Sequence, residues 1–265
     1  MTQPVFLYLH IPKTAGSAVI SAIREHFLGR KSCEVEGPDY LASEARLLDG
    51  GSSRADQFDL VTGHFSYGLH RAFARPCHYY AIVRDPVDRL ISLYYFTKST
   101  PAHPRYSAAN DMSLMQYALS GIHPEIENCQ TKMLSGRPAS NFLNGVEVCS
   151  SEDIDRAIAH LDSSFVSVGV FEHLELSLRM LTAKTGWPNK VVARQNVTLN
   201  RPRASDISDE ERRALESVNR FDLILYRHAL DRLCKSVDDL PFAARSWLRL
   251  RFGSPRAQDA GESRR

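Results

Sequence analysis

A chain of 265 residues, 43% of them hydrophobic, can bury one full-sized core and stands near the length at which a second small domain becomes possible. Thirty-three Lys and Arg against 31 Asp and Glu leave a net charge of +2. That balance marks neither a nucleic-acid binder nor a membrane binder, so partners have to be read from local sites. Five cysteines, at positions 33, 77, 129, 149 and 234, are an odd number without close pairs. This argues for a reducing compartment and against a disulfide scaffold or a thiolate zinc site; Cys77 and Cys129 are expected to fill core space. Met1-Thr2-Gln3-Pro4 runs straight into Val5 to Leu9, which lacks the pattern of a signal peptide. No run reaches the ~18 to 20 apolar residues of a transmembrane span, and the expectation is a cytoplasmic protein.

The segment from Pro4 to Leu9 predicts a buried strand, punctuated by Pro12 and Gly16 and followed by an amphipathic helix from about Ser17 to Leu28 carrying Val19, Ile20, Ile23 and Phe27. Residues 29 to 57 read as loop with one short helix. A second strand is expected at Phe58 to Thr62 and a third at Cys77 to Val83. Asp85 and Pro86 then form an N-cap and first helical position, with Val87, Leu90, Ile91 and Tyr94 on one helix face. Further helices are expected around Met112 to Leu119, Ile126 to Leu134 and after Ser151. Residues 139 to 150 look irregular. Phe165 to Val170 predicts a fourth strand and Glu172 to Ala183 a helix. Ser208 with Glu211 suggests a capping box, and another helix is expected over Asp222 to Leu233. This alternation predicts an α/β fold with a central, mainly parallel sheet flanked by helices, as one domain over residues 1–251 with a frayed tail over 252–265.

Two polar segments stand at strand ends. In His10-Ile11-Pro12-Lys13-Thr14-Ala15-Gly16-Ser17 a strand gives way to a small-residue loop and a helix N-terminus, whose exposed N–H groups attract phosphate or sulfate. Lys13 adds charge, and Thr14 and Ser17 add hydroxyls. The pattern is not a Walker A loop, because its Lys precedes its Gly. An ordinary strand-helix turn with Lys13 in solvent and Ser17 as a cap is the other reading. At the second strand end, Arg84 is placed to meet an oxyanion and Ser92 lies on the helix that follows; the alternative is that Arg84 caps the strand or pairs with Asp85 or Asp88.

Leu9 to Ser17 resembles the 5'-phosphosulfate loop of the sulfotransferases that use PAPS (3'-phosphoadenosine 5'-phosphosulfate), in the branch that includes the heparan sulfate 2-O-sulfotransferases and carbohydrate sulfotransferases. Tyr80 to Phe96 resembles the 3'-phosphate motif of that family, an Arg after the strand and a Ser eight residues later, met by Arg84 and Ser92. Asn128-Cys129-Gln130-Thr131-Lys132-Met133-Leu134-Ser135-Gly136 is similar to a family segment that usually carries Arg where Lys132 stands. Val168 to His173, with Ser177 and Leu178, resembles the later strand-helix block. The similarity covers most of residues 5 to 235. It implies a P-loop-like nucleotide-binding fold, PAPS as sulfuryl donor, Lys13, Thr14, Ala15, Gly16 and Ser17 around the 5' end of the nucleotide, and Arg84 and Ser92 on its 3'-phosphate.

Sulfuryl transfer needs an acceptor hydroxyl in line with sulfur, a base for its proton, and positive charge at the leaving phosphate. His64 is the candidate base: it follows Gly63 at a strand end, and imidazole exchanges protons near neutral pH. A Gly-His at this place supplies the catalytic His in the resembled branch, although the second His of the heparan sulfate members is Thr62 in this chain. A ring that merely bonds a loop carbonyl is the competing reading. Lys13 is the candidate acid or electrostatic partner for the leaving oxygen, and His10 reads as a buried, hydrogen-bonded histidine. His70 and Tyr67 are ambiguous between an acceptor pocket and the surface. Arg194, Arg201 and Arg203 could meet an anionic acceptor or form a solvated loop. His64, His70 and His78 are separated by strand and loop and have no cysteine or acidic companions at zinc spacing, so no metal is expected, and neither nucleic acid nor a transmembrane segment. The expected acceptor is a small molecule or a carbohydrate. Other functions for the same loop are a kinase or NTPase, or a nucleotide-binding or sulfated-glycan-binding module without turnover.

Overall fold

The computed structural model describes residues 3–36, 40–138, 148–188 and 202–253. Five strands, β1 (Val5–Leu9), β2 (Ser32–Val35), β3 (Leu60–Gly63), β4 (Cys77–Val83) and β5 (Phe165–Val170), form one sheet in the order β2-β3-β1-β4-β5. Every pairing is parallel. The strand VFLYL is buried at all five positions, as a parallel sheet covered on both faces requires. The strand period of two divides these side chains between the layers. Val5, Leu7 and Leu9 join Tyr79, Ala81 and Val83 in the larger core, while Phe6 and Tyr8 join Tyr80 and Ile82 in a smaller one.

The helices complete the two layers. Val19, Ile20 and Ile23 of α1 (Gly16–Arg24) close the smaller core. Chain order then gives α2 (Tyr40–Asp49), α3 (Gly51–Ala55), α4 (Pro86–Ser99), α5 (Tyr106–Asn110), α6 (Leu114–Ser120), α7 (Cys129–Ser135), α8 (Ser151–Ser164), α9 (Leu174–Thr185), α10 (Asp209–Val218), α11 (Arg220–Asp238) and α12 (Phe242–Phe252). Ile154, Ala157 and Leu161 of α8 and Leu225, Ala229 and Leu233 of α11 pack against the larger core. No described helix is long and apolar enough to cross a membrane.

Several elements depart from expectation for local reasons. Residues 29–57 hold an edge strand and two helices; β2 is only four residues long and buries only Val35 fully, too little for an alternation to show. Helix α1 ends at Arg24 and tightens into a 3-10 turn over Glu25–Phe27. Asn128, at φ 43°, turns the chain into α7, so that helix starts three residues late. The helix α12 went unread because its outer face is apolar. Asp85 does cap α4, accepting from the Asp88 amide at 2.9 Å with Pro86 at the first turn, and Ser208 with Glu211 forms the expected capping box. Cys129 is buried and Cys77 half-buried, and all five cysteines are thiols.

The chain adds β2 and β3 on one side of β1, then β4 and β5 on the other. Loops leaving β1 and β4 therefore diverge at the carboxyl end of the sheet, the place where open α/β sheets bind ligands. Residue 9 faces both residue 63 and residue 81 in the register, so the loops after β3, β1 and β4 begin side by side.

Candidate active site

All five strand ends contribute a side chain to the same edge: Glu36 after β2, His64 after β3, His10 and Lys13 after β1, Arg84 after β4, and Phe171 and Glu172 after β5. Adjacent strands are spaced by about 4.8 Å, so His64 and Arg84 flank the loop of β1 from opposite sides.

The loop after β1 is bent by Lys13 (φ 71°) and Ala15 (φ 67°), both left-handed and neither a glycine. Such residues cost about 1–3 kcal/mol each and persist only where surroundings over-determine them. Two contacts do so. The Thr14 hydroxyl, fully buried, donates to the Ile11 carbonyl at 2.8 Å, and Arg84 Nη1 donates to the Lys13 carbonyl at 3.1 Å. Left-handed residues set into a turn are the backbone arrangement of anion-binding nests, and α1 begins at Gly16 immediately afterwards. Ser17 is exposed in its first turn. Gly16 serves a close approach: a Cβ there would lie 1.7 Å from His10 Nε2. The Lys13 ammonium rests over the ring of Phe96, 3.8 Å from its centroid. Phe96 and Ser92 are one turn apart on α4 and share a face, which brings the face bearing Ser92 to the Lys13 loop.

On the other side, His64 Nδ1 donates to the carbonyl of His10 at 2.8 Å. A carbonyl only accepts, so Nδ1 carries the proton and the basic lone pair of the neutral ring belongs to Nε2. The bond to a loop carbonyl thus fixes the tautomer a base needs. The His10 ring stacks on His64 with centroids 4.4 Å apart, and its Nδ1 donates to Glu36 Oε1 at 3.3 Å. Burial lowers the His10 pKa despite that carboxylate, while the bond to His10 lowers that of Glu36. A neutral imidazole bonded to an ionised carboxylate accounts for both. Gly63 is required where it stands: its φ is 140°, and a Cβ would lie 2.2 Å from the Val35 carbonyl oxygen. A cleft of ≈ 450 Å³ opens beside this cluster, lined in part by His10, Ser17, Arg24 and Glu36. One ligand atom each from His10, Glu36 and His64 lie within 4.8 Å of one another, a set with the chemistry to hold a divalent cation.

Arg84 is 3% exposed and its guanidinium lies over Phe171, 4.2 Å from the ring centroid. Gln130 fixes its backbone twice, accepting from the Arg84 amide and donating to its carbonyl, each at 2.9 Å. Gln130 is in turn set by a reciprocal cap. Asp222 of α11 accepts from the amides of Gln130 and Thr131 at the start of α7, and Asn128 accepts from the amides of Phe221 and Asp222 at the start of α11. The Asn-x-Gln-Thr segment therefore acts on the site through the backbone of Arg84. Arg89 is fully buried and donates to the Glu125 carbonyl at 2.6 Å, a structural part.

Glu172 accepts from the Asp85 amide at 3.1 Å. Burial, reinforced by Asp85 and opposed by Arg84, pushes its pKa up to about 8. The ordinary value is 4.5, so the folded chain holds this proton more tightly than the unfolded one. Stability is then whole below about pH 4.5 and is lost as pH rises through about 8. Glu172→Gln, which keeps the acceptor for Asp85, should be more stable than the parent by on the order of 2 kcal/mol at pH 8.5, with the difference shrinking toward pH 5. Urea unfolding at the two pH values checks this, and a pH-independent difference would show that the carboxyl is ionised throughout.

The structure brings the predicted Lys13, Thr14, Ala15, Gly16, Ser17, His64 and Arg84 to the carboxyl edge of the sheet, with Ser92 on the helix face beside them; Glu36, Gln130, Phe171 and Glu172 stand there too, and the sequence assigned none of them a role. His70 and Tyr67 lie elsewhere. They line a cleft of ≈ 530 Å³ with Cys77, Tyr79 and Phe165, at the opposite, amino ends of β4 and β5; His70 Nδ1 bonds the Tyr79 hydroxyl at 3.1 Å. Arg203 is exposed, and Arg194 and Arg201 lie outside the described residues, as does the tail beyond residue 253.

A model of the sulfotransferase family matches residues 2–229 of the chain. No individual curated protein matches it significantly.

Proposed function

Because the chain belongs to the sulfotransferase family, we propose that it moves a sulfuryl group from PAPS to a hydroxyl of a carbohydrate or small glycoconjugate. The observation that carries this reading is the bond from Arg84 to the Lys13 carbonyl. It joins two anion-binding motifs 71 residues apart at the sheet's switch point, with His64 held on the far side of the same loop. The nucleotide supplies an activated sulfur–oxygen bond. Backbone N–H groups of residues 13–17 and the Ser17 hydroxyl hold its 5' end, and Thr14 contributes through its backbone because its own hydroxyl is engaged with Ile11. Arg84 and Ser92 take the 3'-phosphate.

His64 Nε2 takes the proton of the acceptor hydroxyl as its oxygen bonds to sulfur, and the bond from sulfur to the 5'-phosphate oxygen breaks, leaving adenosine 3',5'-bisphosphate. The Lys13 stem is flexible enough to bring the ammonium from Phe96 to that leaving oxygen. His10 and Glu36 hold the base in place, and the transfer requires no divalent cation. Incubating the chain with labelled PAPS and a panel of saccharide acceptors should give labelled product, before and after exhaustive chelation. ATP with Mg²⁺ should give no phosphorylated acceptor. Nucleotide binding without transfer to any acceptor in the panel would favour a binding module, and loss of transfer on chelation would assign a cation to His10, Glu36 and His64.

A further inference from the structure

Helix α12 turns an apolar face to solvent. Phe242, Trp247 and Leu250 are 75%, 47% and 89% exposed, three of the nine large exposed hydrophobics among the described residues. The inner face of the helix is already satisfied: Leu248 is 5% exposed and joins the larger core, and Phe252 packs against it. At ~100° per residue, Phe242, Leu250 and Trp247 fall within one sector of about 140°, opposite Leu248 and Phe252. Arg249 and Arg251 fall just beyond the two edges of that sector.

The surrounding cations are arranged as a border. Arg245 lies 5.9 Å from the Phe242 ring, and Arg179 and Arg251 lie 5.0 and 5.7 Å from that of Trp247. Arg249 and Arg251 also bond Asp238 and Glu175, which tethers them at the rim. The charge is concentrated at this end of the chain. Residues 242–265 contain six arginines and two acidic side chains, so the +2 of the whole molecule conceals a net negative remainder. An apolar stripe with a tryptophan, bordered on both sides by arginines whose stems can lie along it, matches the boundary between lipid headgroups and acyl chains. A protein partner would call for a groove or a paired surface, and this face is the convex side of a single helix.

We propose that the outer face of α12 is an interfacial anchor that docks the protein on an anionic lipid surface, lying in the plane of the headgroups without crossing the bilayer. The inference stands apart from the nucleotide site and holds whatever the acceptor. The probe is flotation of the full chain with vesicles of phosphatidylcholine alone or with 30% phosphatidylserine, together with Trp fluorescence. On the mixed vesicles the bound fraction should be at least tenfold higher than on the neutral ones at 0.1 M salt, should fall severalfold at 0.5 M salt, and should be accompanied by a blue shift. The double variant Phe242→Ser/Leu250→Ser removes only exposed side chains and should reduce binding at least tenfold with an unchanged melting temperature. Equal binding to both vesicle types, or by parent and double variant, overturns the proposal. So does a concentration-dependent dimer in lipid-free solution that the double variant abolishes, because the face would then belong to a second copy.

Discussion

Alanine at His64 should lower turnover by about 10²- to 10⁴-fold, the usual contribution of a positioned general base, while the affinity for adenosine 3',5'-bisphosphate stays within about threefold, small on the scale of a lost charged contact. The split follows from where the imidazole is held. It is fixed through Nδ1 to the His10 carbonyl and stacked on the His10 ring, on the β3 side of the loop, whereas the nucleotide's phosphates are assigned to that loop and to Arg84 on the β4 side. Removing the ring should therefore take away proton transfer and leave the phosphate donors in place. Single-turnover rates beside calorimetric nucleotide titrations measure the two quantities separately. Turnover within threefold of the parent, with chemistry limiting, would move the base to another group, and Glu36, with a carboxylate oxygen within 4.8 Å of the His64 ring nitrogen, is the first to test. Glu36→Gln separates those cases. If Glu36 only orients His10, its substitution should slow transfer modestly without moving the acid limb of the pH–rate profile; if it is the base, the limb should disappear.

How much of this site the sequence revealed depends on whether a residue acts through its side-chain chemistry or through another residue's backbone. Lys13, His64, Arg84 and Ser92 were legible because each stands in a local pattern: a strand end, a turn, a helix start. Gln130 stood in a recognisable segment, but its work on the Arg84 backbone depends on α7 being fixed by Asp222 from α11, a contact about ninety residues away in the chain. No local spacing encodes that. Glu36 was hidden with β2, an edge strand whose four residues include two exposed ones. At Gly16 the demand for a residue without a Cβ comes from the ring of His10, a contact that no turn pattern in the sequence announces. The net charge of +2 averages a basic C-terminal segment with an acidic remainder, so the asymmetry on which the lipid proposal rests does not show in the total.

Arg84→Ala should remove most of the preference for a 3'-phosphorylated nucleotide. Charge-assisted hydrogen bonds contribute about 1.5–3 kcal/mol each, so the parent should bind adenosine 3',5'-bisphosphate roughly a hundredfold or more tighter than adenosine 5'-phosphate, and the variant less than tenfold. The absolute affinities are the weaker readout, because Arg84 also holds the Lys13 carbonyl and covers Phe171, and its removal loosens the loop that receives the 5' end. Both nucleotides use that loop, so the loosening lowers both affinities and cancels in their ratio. Arg84→Lys sharpens the comparison: it keeps the charge but loses the planar fork, and its ratio should fall between those of parent and alanine variant. Gln130→Ala supplies the complementary case. It leaves the guanidinium in the chain but releases the backbone that aims it, so the ratio should drop while charge is conserved. A ratio unchanged in all three variants would place the 3'-phosphate away from the end of β4, and the pairing of the two loops at the switch point would then serve only the fold.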